Sequence, residues 1–203
     1  MPARPLVLAS GSPRRRRLLA EAGIAVEVVP PQVAERPEPG EAPDALATRL
    51  AAEKALEVAR RLGPVPERWV LGADTIVVVD DAVLGKPDDA AHALQLLEQI
   101  VGREHRVITG IALVSSRSMR PRTRAVRSEV AMHAASRREL EAYVATGEPL
   151  DKAGAYALQG EGRRFVRAVV GSETNVIGLP LEETRALLRE CNERGELGQR
   201  GAP

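Results

Sequence analysis

Lysine is nearly missing from this chain of 203 residues: of its 29 basic residues, 26 are arginine and three, Lys54, Lys86 and Lys152, are lysine. A biased base composition converts generic surface lysines to arginine. Against that background, a retained lysine marks a place where a compact, mobile ammonium does what a planar guanidinium fork cannot. Chance retention is the plainer account, but all three lie inside short polar segments. Aromatic residues are equally scarce: Trp69, Tyr143, Tyr156 and Phe165 are the whole set. So few rings make poor stacking platforms, which argues against a single-strand nucleic-acid binder despite the block Arg14 to Arg17. The single cysteine, Cys191, has no internal disulfide partner, and a cytoplasmic location is the expectation.

Other absences narrow the function classes. No apolar run approaches the ~18 residues of a membrane span. The N-terminal apolar stretch is only Leu6 to Ala9, and four arginines follow at once, so a secretion signal is rejected. A net charge of +1 implies no strong electrostatic partner. No P-loop or dinucleotide fingerprint is present; the one Gly-Lys pair, Gly85-Lys86, is followed by proline. No G-x-S-x-G elbow occurs, and His92, His105 and His133 lack metal-ligand spacing.

Hydrophobic residues make up 44% of the chain, enough for a globular core. One domain is expected over residues 1–192, with a loose tail at 193–203. Leu6 to Ala9 reads as a buried strand, and Ser12-Pro13 as the N-cap and first position of a helix stopped by Gly23. Ala25 to Val29 is a second strand. Five prolines from Pro30 to Pro43 mark a long loop. Asp44 is expected to cap a helix reaching about Leu62. Trp69 to Val79 is strand-like but interrupted by Gly72-Ala73-Asp74-Thr75, and Asp80-Asp81 is a turn. A helix starting at Asp88 or Asp89 is closed by Gly102. Strands His105 to Ser115 and Arg122 to His133 form a hairpin. Ser136-Arg137-Arg138-Glu139 is a capping box opening a helix that ends at Gly147. Short strands at Ala155 to Leu158 and Phe165 to Val170 precede a last helix, Pro180 to Cys191. The alternation predicts an α/β fold with a mixed sheet.

Four segments are equipped for chemistry. Ser10-Gly11-Ser12-Pro13-Arg14-Arg15 places hydroxyls, free N–H groups and two guanidiniums at a helix start, a natural anion site. Its plainer reading is a capped helix with solvated arginines. Asp74 sits inside an apolar strand run, where a carboxylate must be paired or used; it suits a metal ligand or a water-orienting base. An edge-strand aspartate facing water is the alternative. Lys54, Lys86 and Lys152 form the third set. The small neighbours Ala51, Ala52 and Ala55 would let Lys54 turn inward, although a solvated helix lysine fits as well. In Gly154-Ala155-Tyr156-Ala157-Leu158-Gln159-Gly160, Gln159 carries the donor and acceptor that base recognition needs. It is equally a plausible turn residue, and Tyr156 reads better as a core aromatic.

Taken in order, Leu8-Ala-Ser-Gly-Ser-Pro-Arg-Arg15, Gly72-Ala-Asp-Thr75, Gly85-Lys-Pro87, Asp151-Lys-Ala-Gly-Ala-Tyr156, Gln159-Gly160 and Gly178-Leu-Pro180 resemble the motifs of the Maf family. The resemblance spans roughly Leu6 to Leu188 and is specific through the number and order of motifs. It implies an elongated α/β fold, a mixed sheet with flanking helices in two lobes around a central cleft, similar to the inosine triphosphate pyrophosphatases. It implies a nucleoside triphosphate pyrophosphatase that uses a divalent cation, Mg²⁺ or Mn²⁺, in a family where homodimers are common; with the composition above, a homodimer with no nucleic-acid or membrane partner is expected. Arg14, Thr75 and Gln159 resemble the branch acting on dTTP and UTP, where the 7-methyl-GTP branch tends to carry tryptophan, glutamine and glutamate. Ser172-Glu173-Thr174-Asn175 departs from the pattern, which often has an aromatic before the threonine. By the resemblance, Asp74 matches the catalytic aspartate, with Ser10, Arg14, Arg15, Glu35, Lys54 and Lys86 as substrate-binding residues. Asp74 and Glu35 are the metal candidates.

The chemistry expected is in-line attack of water on the α-phosphorus with pyrophosphate leaving. Rival readings are an inosine, xanthosine or 7-methyl-GTP pyrophosphatase, a phosphatase releasing the diphosphate, and a regulator of cell division that binds nucleotide or nucleic acid without turnover.

Overall fold

A computed structural model describes residues 5–193. Among the described residues seven strands and six α-helices are interspersed, with hydrogen-bonded strand order β2-β1-β3-β5-β6-β7 and β4 pairing β3 off that path. The strands are β1 (Leu6–Ala9), β2 (Val26–Val28), β3 (Trp69–Val79), β4 (Ala82–Leu84), β5 (Glu104–Ser115), β6 (Pro121–Met132) and β7 (Val166–Val170). The helices are α1 (Pro13–Glu21), α2 (Pro43–Leu62), α3 (Ala90–Ile100), α4 (Arg137–Val144), α5 (Glu173–Ile177) and α6 (Leu181–Glu193). β1 runs parallel to β2 and β3, while β3–β4 and β6–β7 are antiparallel, so the sheet is mixed as expected. Among the described residues no helix is long and apolar enough to cross a membrane. The expected loose tail begins at 193, and residues 194–203 lie outside the described residues.

The chain divides into two compact units. The first holds the chain up to Asp74, Thr109–Val126 and the chain from Gly178. All four residues of β1 are buried. Behind it, α1 starts as the sequence predicts, with Ser12 as N-cap and Pro13 in the first turn. The proline loop is irregular up to Ala42. Asp44 is not the cap of α2: Pro43 already lies in the helix, Ala42 caps it without a side-chain bond, and Asp44 sits in the first turn. There its carboxylate favours the positive end of the helix dipole.

Helix α2 lies unusually close to the sheet. Its inner face is built from Ala47, Ala51, Ala55 and Ala59, all fully buried. Opposite them stand Gly72 on β3 and Gly110 on β5. A Cβ built on Gly72 would lie 2.2 Å from the Ala51 carbonyl oxygen, and one on Gly110 would lie 2.1 Å from that of Ala47. These glycines therefore exist for close approach, not for a break. That corrects the expected interruption at Gly72 to Thr75, because β3 is one continuous strand of 11 residues.

The second unit comprises Thr75–Ile108 and Arg127–Ile177. Val77, Leu97, Ile100, Leu140, Tyr143 and Phe165 belong to its core. Asp89 caps α3, and Ser136 with Glu139 forms the predicted capping box of α4. Helix α4 stops at Val144 rather than Gly147. The expected strand Ala155 to Leu158 does not form. Gly154 has φ of 67° and Ala155 of 58°, left-handed values that no strand accommodates. Tyr156 is the core residue it was expected to be, and its hydroxyl meets His105 Nε2 at 2.8 Å. Burial pushes the His105 pKa down to about 4, so the imidazole is neutral at physiological pH. Helix α5 (Glu173–Ile177), unforeseen in the sequence, begins inside the departing segment Ser172 to Asn175. Its buried Asn175 donates to Val107 O and Ser128 Oγ at 3.1 and 3.0 Å.

Candidate functional site

The first unit brings Ser10, Arg15, Glu35, Lys54 and Asp74 into one polar cluster. It begins where β1 ends. Ser10 is 3% exposed, and its hydroxyl oxygen accepts from Ser12 N at 3.2 Å and from an Arg15 terminal nitrogen at 3.1 Å. Arg15 Nε donates to the Gly178 carbonyl at 2.8 Å. The guanidinium is thus held by the serine before the helix and by the turn before α6. Burial lowers the pKa of Arg15, while the carboxylates of Asp74 and Glu35 oppose that shift and Arg14 adds to it. Arg14 is partly buried, whereas Arg16 and Arg17 are more open, and Arg17 makes a long i,i+4 ion pair of 3.8 Å with Glu21. The four-arginine block therefore separates into two pairs. A Cβ on Gly11 would meet no protein atom within 4 Å, so the backbone there is open in front of the helix start.

The close approach of α2 to β3 carries Lys54 inward. Its ammonium lies 2.5 Å from Asp74 Oδ1 and 2.6 Å from Glu35 Oε1. Lys54 is 4% exposed and Asp74 5%, so the inward reading of the lysine and the paired reading of the strand aspartate both hold. Glu35 is reached from the proline loop and stays half-exposed, with 42% of its side chain accessible. Nothing in its local sequence distinguishes it from the other acids of that loop; the family resemblance alone singles it out.

Among the described residues no group of three or more His, Cys, Asp or Glu could hold a metal ion by itself. Asp74 and Glu35 nevertheless converge on one ammonium. One or two carboxylates are the protein share of a Mg²⁺ site whose remaining ligands are phosphate oxygens and water. The donor set fits a cation brought with a polyphosphate, not a closed protein cage.

Thr75, Lys86 and Gln159 belong to the second unit. Thr75 follows Asp74 on β3 and is partly buried, Lys86 is exposed after β4, and Gln159 is partly buried in the turn after Leu158. Lys152, the third retained lysine, donates to the Glu148 carbonyl and to Asp151, which is local bracing.

One residue of the first unit escaped the sequence reading. Arg49 on α2 holds Glu41 with two parallel bonds of 2.7 Å, Glu53 at 3.0 Å and the Arg36 carbonyl at 3.0 Å. It clasps the loop that carries Glu35. The bond to Arg49 is the main reason the Glu41 carboxyl titrates below its usual range, and Glu41 raises Arg49 above the usual guanidinium value. The only hint in the sequence is an arginine on a helix beside an acid-rich loop. Arg49→Met is expected to speed hydrogen exchange of the Glu38 and Glu41 amides by about tenfold through local opening of the loop. Unchanged exchange would mean that the loop holds itself. The depressed Glu41 pKa gives the sign of the pH effect: the clasp is intact above the ordinary carboxylate pKa and is lost as pH falls through the lowered one.

Comparison with known proteins gives a consistent result. A family model described as "Maf-like protein" matches residues 5–191. A dTTP/UTP pyrophosphatase of Myxococcus xanthus is 50% identical over 186 residues, covering 92% of each chain. Proteins of the same name from Geobacter sulfurreducens and Anaeromyxobacter dehalogenans are 47% and 48% identical, covering 91% and 92% of this chain and 95% and 93% of their own.

Proposed function

Since the chain belongs to the Maf-like protein family, we propose that it is a nucleoside triphosphate pyrophosphatase that splits dTTP and UTP into the monophosphate and pyrophosphate. The observation that carries this reading is the buried Lys54 ammonium held between Asp74 and Glu35, in a chain half identical to a protein of that name. A buried lysine bridging two carboxylates is costly to assemble and gives little net stability. It does suit a site that must meet the charge of a triphosphate.

In this reading Asp74 orients and deprotonates the water that attacks the α-phosphorus in line with the departing pyrophosphate. Phosphoryl transfer depends on positioning and charge neutralisation more than on covalent help. Arg15, pinned by Ser10 and Gly178, presents a fixed cation beside the helix start. Arg14 and Lys86 are assigned to phosphate oxygens, and Lys54 balances the carboxylates before substrate arrives. A Mg²⁺ or Mn²⁺ ion, held by Asp74 and Glu35, would supply further neutralisation of phosphate charge. Arg14, Thr75 and Gln159 are assigned to selection of the pyrimidine base. The enzyme is placed in the cytoplasm as a homodimer with nucleotide as its partner; the single, buried Cys191 accords with a reducing compartment.

Product analysis with a panel of triphosphates tests the proposal. dTTP and UTP are expected to give monophosphate and pyrophosphate in equal amounts. Diphosphate and orthophosphate would make the protein a phosphatase. A preference for ITP, XTP or 7-methyl-GTP would overturn the substrate, and salt-sensitive nucleotide or nucleic-acid binding without turnover would favour a regulator.

A further inference from the structure

The second unit holds a carboxylate that gathers an unusual number of nearby donors. Glu148 Oε1 accepts from the Tyr143 hydroxyl at 2.8 Å and from Gly162 N at 3.0 Å, and its Oε2 accepts from Glu161 N at 2.9 Å. The Tyr143 oxygen in turn accepts from Ala157 N at 3.2 Å. The turn from Ala157 to Gly162 is therefore gripped at both ends by one side-chain pair, and Gln159 lies inside it. Tyr143 is fully buried and packs edge-on against Phe165 at 5.3 Å, so the pair has a rigid base. Burial alone would raise the Glu148 pKa, but the two amides and the Tyr143 hydroxyl outweigh it and leave the carboxyl below its usual range.

Two glycines show how tightly the turn is drawn in. A Cβ on Gly160 would lie 2.3 Å from Glu148 Oε2, at a residue whose φ of 106° already favours glycine. A Cβ on Gly162 would lie 2.5 Å from the Tyr143 hydroxyl. Hydrogen bonds and steric fit thus point independently to one turn geometry.

We propose that Glu148, acting with Tyr143, is a positioning residue for base selection: it holds the turn so that the Gln159 carboxamide is oriented before the nucleotide arrives. This rests on the reading of Gln159 as a group that selects the base. An amide fixed in advance spares the ordering entropy otherwise lost on binding. The effect therefore belongs to pyrimidine affinity and selectivity, not to the chemical step.

Steady-state kinetics on the full chain with dTTP, UTP and ITP, each with Mg²⁺, test this. Glu148→Ala is expected to raise KM for dTTP and UTP by about tenfold with kcat nearly unchanged, and to lower the pyrimidine-to-ITP ratio of kcat/KM. Tyr143→Phe is expected to do the same more weakly, and Glu148→Gln, which keeps one acceptor oxygen, to fall between. Combining Glu148→Ala with Gln159→Ala is expected to cost no more selectivity than Gln159→Ala alone, because both act through one group. If Gln159→Ala lowers selectivity while the folded Glu148 and Tyr143 variants keep it, the positioning role is wrong and the reading of Gln159 stands. If Gln159→Ala leaves selectivity intact, that reading fails and the positioning role fails with it. Should Glu148→Ala not fold, Glu148→Gln and Tyr143→Phe decide by the same ratios.

Discussion

Asp74→Asn is expected to abolish useful turnover of dTTP while leaving the fold and nucleotide binding in place. Asparagine has almost the same shape, and its carbonyl oxygen still accepts from the Lys54 ammonium that lies 2.5 Å from Asp74 Oδ1. Lys54 also keeps Glu35 as a charged partner at 2.6 Å. The variant loses only the capacity to take a proton and the negative charge. A positioned general base contributes about a hundredfold to ten-thousandfold, so kcat is expected to fall by that much. Thermal unfolding and binding of a non-hydrolysable dTTP analogue check the intact fold. A kcat near wild type would remove Asp74 from the catalytic role.

Lys54→Met is expected to have the largest effect on stability. It removes the ammonium that lies 2.5 Å from a carboxylate only 5% exposed and leaves Asp74 charged without that bonded partner. Breaking a buried ion pair from one side costs about 3–5 kcal/mol. The half-exposed Glu35 suffers less, because water still reaches it. The double variant Lys54→Met/Asp74→Val separates stability from function. Replacing both partners by apolar side chains removes the desolvation cost, so the double variant is expected to regain most of the lost stability in urea unfolding. Activity is expected to be absent in both. A double variant as unstable as the single one would show that the cost comes from α2 packing rather than from an orphaned charge.

These two expectations share a local cause that was partly readable in the sequence. The alanines around Lys54 announced a helix face able to approach a sheet, and the apolar run around Asp74 announced a carboxylate needing a partner. Gly72 looks like a break in the sequence because nothing there signals what lies opposite it. Its role is set by the Ala51 carbonyl, 2.2 Å from where a Cβ would stand. The missing strand at Ala155 to Leu158 has a similar origin. The residue types allow an extended chain, but the left-handed φ values at Gly154 and Ala155 turn it. Arg49 and Glu148 escaped notice because their partners are loop acids and backbone amides, which no spacing rule connects.

The sequence by itself determined the mixed α/β class, the starts of α1, α3 and α4, and the family, since capping chemistry, turn residues and ordered motifs are local. It also singled out Lys54 and Asp74 through burial arguments that need only neighbouring residues. The tertiary structure alone decided which groups meet. Lys54 reaches Asp74 across 20 residues of chain, and Arg15 reaches Gly178 across 163. Such contacts depend on how closely a helix packs on a sheet and on where a distant turn falls, and side-chain periodicity carries no record of either.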